Sequence, residues 1–334
     1  MKITVSSTGL SALDRPRLPM IALVVFALAL AVFFVFPDRL SLAAYIGIFA
    51  LFALSLDLAL GMAGIVTLGH AAFFGVGAYT AGWLALAGWQ EPITGVVISG
   101  LCAAALAGAL GPFILRLTGL PLVMVTLAVG VFLFEAANKL TWLTGGDDGL
   151  YGMTFSPVLG IFEWSIYGTT DYLYVLAWLA LAFYGCHRLT TSNFGLALRG
   201  VRENRLRMSL LGSSVLAQLT LAYALSAFIA GVAGALLAQT SEFVGLEVLS
   251  VEKSIDVVVI LVLGGVGHLY GALLGAPVYL LIKDMSKEWN PHAWMIIIGF
   301  MLVFVMLVAR GGIHGVLHKV IARSRGKLPN GEPR

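Results

Sequence analysis

Apolar runs about as long as a bilayer core is thick recur from one end of this chain to the other. Roughly 20 apolar residues in a helix cross a hydrocarbon layer of about 30 Å. No water reaches the backbone there, so N–H and C=O groups are satisfied within helices or a closed barrel. A barrel would show short alternating segments, which this sequence lacks. Only 11% of the residues are charged and the mean hydropathy is +0.97, whereas soluble domains carry about 25% charged residues. The chain is therefore expected to be all-α, a polytopic helical membrane protein with about 8–10 transmembrane segments, some broken or re-entrant. Its 39 glycines suit close helix packing in lipid.

Between polar breaks the apolar runs fall at residues 20–36, 41–60, 71–88, 93–115, 120–140, 171–188, 215–239, 255–282 and 292–309. A short basic arm, residues 1–19 with Lys2, Arg15 and Arg17, precedes the first. That run reads as a span and not as a signal peptide, because no small-residue cleavage site follows it. A membrane domain is expected over 20–310, interrupted by a cytoplasmic loop at 188–214 and followed by a basic cytoplasmic tail at 311–334. Cys102 and Cys186 suggest neither a disulfide framework nor a CxxC metal site.

Lys and Arg stay on the cytoplasmic side. The loop from residue 188 to 212 holds Arg188, Arg199, Arg202, Arg205 and Arg207 against Glu203, and six Lys or Arg follow from Arg310 onward. The 141–171 stretch carries Asp147, Asp148, Glu163 and Asp171 with no basic residue. The 241–256 stretch sets four acids against Lys253. A cytoplasmic N-terminus and six crossings bring the arginine loop inside, and a seventh delivers 241–256 outside. An odd number of crossings must then reach the basic tail. The run 255–282 contains "LGGVGHLYG" and is too long for one untilted pass, since 28 helical residues extend about 42 Å. A break at Gly264, Gly265 and Gly267 into two half-length legs satisfies charge and length, provided the broken backbone is buried in protein.

Other features depart from plain spans. "LGMAGIVTLGHAAFFGVGAYTAGWLAL" holds six glycines, among them Gly61, Gly64 and Gly69. At about 1 kcal/mol per glycine, residues 61–70 are expected to be unwound and to line a cavity, with close packing of small residues as the alternative. A helix starting near His70 would aim its amides at that cavity, an arrangement suited to a carboxylate. Asp57 and Glu135 are intramembrane acids, with Asn138 one turn beyond Glu135. Such acids mark an interior or functional position by default. Glu135 is also near enough to the outer end to snorkel, and Asp57 to pair with amides or hydroxyls of a neighbouring helix. "LTGGDDGLYG" lacks the flanking helices and terminal glutamate of a calcium loop and reads as a turn at a docking surface. "SNFGLALRGVRENRLRMSLLG" sets arginines on one face of a short helix; an ordinary positive-inside loop would share that composition. There is no GxxxxGK[ST], HExxH or GxSxG, so neither ATP binding through a P-loop nor intramembrane hydrolysis has support, and no metal site is expected.

Five stretches occur in the order seen in one family: "GMAGIVTLGHAAFFGVGAYTA", "VMVTLAVG", "LTGGDDGLYGM", "SNFGLALRGVRENRLRMSLLG" and "VLGGVGHLYGALLGA". From about residue 41 to 312 the chain resembles the LivM-type permeases of branched-chain amino-acid ABC importers. The resemblance implies a multi-pass permease of the bacterial inner membrane with both termini cytoplasmic. Its partners would be a homologous LivH-type permease, two ATP-binding cassette subunits, a periplasmic substrate-binding protein and membrane lipid, with no nucleic acid. It would be a transport subunit and not an enzyme, without a cofactor of its own, ATP being bound by the partner subunits.

The resemblance also assigns roles. Arg199, Arg202, Glu203, Asn204, Arg205 and Gly212 fall in the segment that docks on the ATPase, with Glu203, Asn204 and Gly212 matching the family motif. Asp57, Thr67, His70, Phe73, Tyr79, Thr126, Glu135 and Asn138 are candidates for the translocation path. Asp57 stands where relatives usually have Asn, Ile65 where they carry a polar amide, and Val131 where they often have Glu. Arg205, Arg207, Met208 and Ser209 replace acidic and alanine positions of the docking segment. These departures leave leucine-like amino acids, urea or short amides, and aromatic acids open as solutes. A proton-driven secondary transporter using Asp57 and Glu135 is the reading from another class, and a purely structural membrane protein is disfavoured by those acids and the glycine breaks.

Overall fold

The computed structural model describes residues 20–164, 168–289 and 299. In these described residues twelve α-helices run in order: α1 (Met20–Val35), α2 (Leu40–Leu56), α3 (Ala71–Leu86), α4 (Pro92–Ile114), α5 (Leu120–Lys139), the single turn α6 (Thr141–Thr144), α7 (Thr169–Thr191), α8 (Asn193–Glu203), α9 (Arg205–Leu210), α10 (Val215–Ser241), α11 (Val251–Gly264) and α12 (Leu269–Trp289). Among the described residues there is no strand, only isolated bridges such as Leu150 with Val244. The expected all-α, polytopic architecture is what forms.

Among the described residues, five helices are long and apolar enough to cross a membrane: Pro37–Met62, Pro92–Ile114, Leu120–Lys139, Thr169–Thr191 and Val215–Ser241. The first is α2 extended by a π turn, Asp57–Met62. The apolar helices α1 and α3 are shorter. At 16 residues α3 extends only about 24 Å, and the unwound stretch before it supplies the missing depth. Helices α11 and α12 meet at an angle of 113°, with the break at the expected glycines. The two legs are unequal, 14 and 21 residues, and not both half-length. The second outlasts its apolar run because Lys283, Asp284 and Ser286 continue its helix. The expected span at 292–309, the arm at 1–19 and the tail at 311–334 lie outside the described residues.

Helices α2 and α10 form the centre. Their apolar windows are 72% buried inside the chain, against 22% for α5, which therefore presents most of its surface outward. Small residues make this centre dense. A β-carbon on Gly77 of α3 would fall on the Gly231 carbonyl of α10, and one on Gly234 would fall on the Phe74 carbonyl of α3. Without an oil–water difference to drive helices together in lipid, such close van der Waals contact and buried polar bonds hold them. Ser226 Oγ of α10 donates to the Ser55 carbonyl of α2 at 2.6 Å, and Gln239 Nε2 donates to the Pro92 carbonyl of α4 at 2.9 Å. At one end of the bundle the turn after α6 pairs with the loop after α10 through Leu150 N–H to Val244 O (2.8 Å) and Val244 N–H to Leu150 O (3.1 Å).

Candidate functional site

The stretch between the π turn and α3 is unwound, as its glycines predict. Ile65 N–H reaches back to Ala59 O at 2.9 Å, and Gly64 turns the chain at φ +70°, a left-handed conformation that favours glycine. The segment is mostly enclosed by protein, as irregular backbone at membrane depth must be. Helix α5 crosses it so closely that a β-carbon on Gly69 would fall on the Thr126 carbonyl. Thr126 Oγ1 also accepts the Leu68 N–H at 3.4 Å and donates to Val123 O at 2.9 Å. Thr67 Oγ1 accepts the Gly69 N–H at 3.2 Å. Val66 is the exposed residue of the stretch.

The start of α3 departs from expectation. Its Ala71 N–H does not face an open cavity; it donates to Ser254 Oγ of α11 at 2.9 Å. A hydroxyl thus already occupies the positive end of the helix. His70 is fully buried, lies parallel to the Phe52 ring with centroids 5.6 Å apart, and shares a hydrogen bond of 2.9 Å between Nε2 and Ser55 Oγ. Phe73 is buried edge-on against Tyr223. The Tyr79 hydroxyl is buried with no hydrogen-bond partner among the described residues. Thr67, His70, Phe73 and Thr126 therefore cluster around the unwound stretch inside the subunit. Glu135 sits apart on the exposed side of α5, with Asn138 half-buried near the same end.

Asp57 is buried at the start of the π turn, and its Oδ1 accepts the Gly267 N–H from the α11–α12 break at 2.6 Å. It pairs with a neighbouring helix's amide, one of the two roles the sequence left open. Gly61 comes to the same place: a β-carbon there would sit 2.8 Å from the Gly267 backbone. Asp57, Gly61, Gly264, Gly265 and Gly267 thus gather where two broken helices meet.

The arginine-rich segment forms two helices where one was expected. Asn204 separates them in an extended conformation (φ −157°, ψ 98°), and its Oδ1 caps α9 by accepting the Arg207 N–H at 2.9 Å. A side chain that accepts from the third residue on ends one helix and starts the next. Helix α8 buries Gly195, Leu198 and Val201 against the bundle. Arg199 Nη2 donates to Thr190 O at 3.3 Å, and Arg205 Nη1 donates to Leu115 O at 3.4 Å. Burial draws the Arg205 pKa below the ordinary arginine value. Arg202 is exposed, and its guanidinium reaches across to donate to the Gly61 carbonyl. Glu203, Asn204 and Arg207 are exposed, beside Leu206, Leu210 and Leu211, which are 70%, 80% and 74% exposed. Gly212 closes α9 at φ +82°.

The acid-rich stretches are only partly surface. Asp147, Asp148, Glu163, Glu242, Glu247 and Glu252 are exposed, but Asp256 lies inside helix α11. It is buried, paired with Lys283 of α12 at 2.6 Å, and accepts the Tyr279 hydroxyl proton. Lys253 is buried too, 2.7 Å from Glu247 and 5.6 Å above the Phe49 ring. The 241–256 stretch was expected to be an outer loop; instead α11 begins at Val251 and carries these charges into the packing. Sequence reasoning also missed Ser55, Ser226, Ser254 and Tyr223, the polar groups that surround His70 and Thr67. Single hydroxyls in apolar runs give no signal of where they will meet.

The family model described as "Branched-chain amino acid transport system / permease component" matches residues 39–306. The chain is 29% identical to the high-affinity branched-chain amino acid transport system permease protein LivM of Escherichia coli (strain K12), over 95% of this chain and 78% of that protein. It is likewise 29% identical to the protein of the same name from Salmonella typhimurium, over 88% of this chain and 73% of that protein. No solved structure gives a significant match. A match from the second span into the last apolar run, on a helical fold broken where the family's glycine motifs lie, settles the affiliation: the chain belongs to the branched-chain amino-acid transport system permease family.

Proposed function

We propose that this chain is one permease subunit of an ATP-driven importer for branched-chain amino acids or related small solutes. Its partners are a homologous permease, two ATP-binding cassette subunits and an extracytoplasmic binding protein. It sits in the inner membrane with α8 and α9 on the cytoplasmic side, and it moves solute while the partner subunits hydrolyse ATP. The observation that carries the reading is the exposed face of α9, where three leucines stand free beside Glu203, Asn204 and Arg207 while α8 anchors the segment to the bundle. An apolar patch rimmed by charges marks a protein-binding surface, and here it lies in the segment where the family docks its ATPase. Glu135 adds a second support. A carboxylate exposed on a membrane helix is costly against lipid, so the outward face of α5 suits the second permease and the solute path between the two subunits.

Two variants test the docking role. Glu203→Lys reverses a charge on the exposed rim, and Gly212→Leu puts a branched side chain at φ +82°, where L-residues are strained. Both are expected to abolish ATP-coupled uptake in proteoliposomes while membrane insertion is kept; normal uptake in both removes the assignment. Uptake by the chain alone under a proton gradient would overturn the importer reading altogether. Orientation has its own check: Ser209→Cys, on exposed α9, is expected to react with an impermeant maleimide only in permeabilised cells. Glu135→Gln is expected to lower uptake or alter solute preference without changing assembly, and unchanged transport would leave Glu135 as a snorkelling residue.

A further inference from the structure

Two discontinuities of the backbone face each other inside this chain. One is the π turn and unwound stretch after α2, Asp57 to His70; the other is the elbow between α11 and α12. Broken helices leave N–H and C=O groups without helical partners, and inside a membrane these must be satisfied by protein. Asp57 Oδ1 takes the Gly267 N–H of the elbow at 2.6 Å, and Arg202 Nη1 of α8 takes the Gly61 carbonyl of the π turn. The two breaks touch directly, since a β-carbon on Gly61 would fall on Asp57 Oδ1 and lie 2.8 Å from Gly267. The Arg202 stem passes under the unwound stretch, its Cγ 3.0 Å from where a Gly64 β-carbon would stand. Among the described residues the second oxygen of Asp57 has no hydrogen-bond partner. A cavity of about 270 Å³, lined by Met62, His187, Arg199, Gly267 and His268, lies beside the elbow and gives it room to move.

We infer that Arg202 and Asp57 form the internal linkage that carries motion of the α8–α9 segment to both helix breaks. Arg202 is a positioning residue whose guanidinium holds the Gly61 carbonyl, and Asp57 is the clamp joining the two breaks. The inference rests on the importer-subunit reading and deepens it. If ATPase closure displaces α8, the guanidinium draws on the Gly61 carbonyl while Asp57 holds Gly267, so the two discontinuities shift together. A rigid helix would not transmit such a local displacement into a change of shape; a pair of breaks tied at one point does.

The test uses the full assembly with its ATPase subunits, carrying Val66→Cys as a reporter on the unwound stretch and Cys102→Ser to remove the exposed native thiol. A non-hydrolysable ATP analogue is expected to change the alkylation rate of the reporter about fivefold or more, the lower range of ordinary allosteric coupling. Adding Arg202→Met is expected to abolish the nucleotide response and cut uptake about tenfold while the ATPase subunits stay bound. An intact response with normal uptake overturns the inference. So does loss of ATPase binding in Arg202→Met, which would make the arginine a docking contact. Should Arg202→Met fail to accumulate, Arg202→Lys decides: its shorter stem and single donor group are expected to weaken the response at least about twofold, and a full response overturns the linkage. A parent assembly that imports solute while its reporter ignores nucleotide sinks the linkage alone. A parent that binds no ATPase subunits sinks the importer reading, and the linkage with it.

Discussion

Asp256→Ala is expected to destabilise the chain by about 3–5 kcal/mol, the cost of breaking a buried ion pair from one side. Asp256 accepts from both Lys283 Nζ at 2.6 Å and the Tyr279 hydroxyl, and Lys283 also stands 5.5 Å above the Tyr279 ring. Removing the carboxylate takes away the acceptor that Lys283 and Tyr279 share between α11 and α12. The expected readout is a large fall in the thermal midpoint of the purified protein in detergent. Asp256→Leu with Lys283→Met should recover most of the loss, because two apolar side chains of similar volume need no partner. Adding Tyr279→Phe should recover about 1–3 kcal/mol more by removing the last orphaned hydroxyl. A single variant as stable as the parent would show that water reaches the pair. The ion pair is thus a constraint on how α12 leaves the elbow more than a net source of stability.

Filling the seam between α3 and α10 is expected to be comparably damaging. A β-carbon on Gly234 meets the Phe74 carbonyl and comes within 2.9 Å of Ala78 N, all rigid backbone that cannot turn aside. Gly234→Ala should cost about 1–3 kcal/mol as an overpacked site, and Gly234→Leu should prevent recovery of monodisperse protein. Among the described residues, nothing lies within 4 Å of where a β-carbon on Gly108 in α4 or Gly185 in α7 would stand. Alanine there is expected to be neutral, or to stabilise by about 0.5–1 kcal/mol through helix propensity. Measured side by side, the two classes separate packing from propensity. Equal effects at Gly234 and Gly185 would remove the claim that the seam is closed by glycine.

Hydropathy alone located the apolar helices from α1 to α10 to within a few residues, because an element's need to be apolar across the bilayer is local to its own sequence. The glycine clusters likewise marked both breaks, at 61–70 and at Gly264 to Gly267, since the helix cost of glycine is paid where the residue stands. The arginine count singled out the α8–α9 segment, although the split at Asn204 was hidden in a helical composition.

Which groups meet was decided by the tertiary structure. Asp57 and Gly267 are 210 positions apart, and Arg202 and Gly61 are 141 apart. No periodicity connects such pairs; they meet because small residues let α2, α10 and α11 approach closely enough to bring two breaks together. The same holds for Asp256, acidic and near other acids in the sequence yet turned inward by the start of α11 at Val251. It holds too for His70, which lies beside Ser55 and Phe52 and not in an open cavity. Composition and spacing set where each segment lies in the membrane, whereas the partner of each buried polar group depends on three-dimensional packing, because hydrogen bonds act over about 3 Å and the chain brings distant residues that close only once folded.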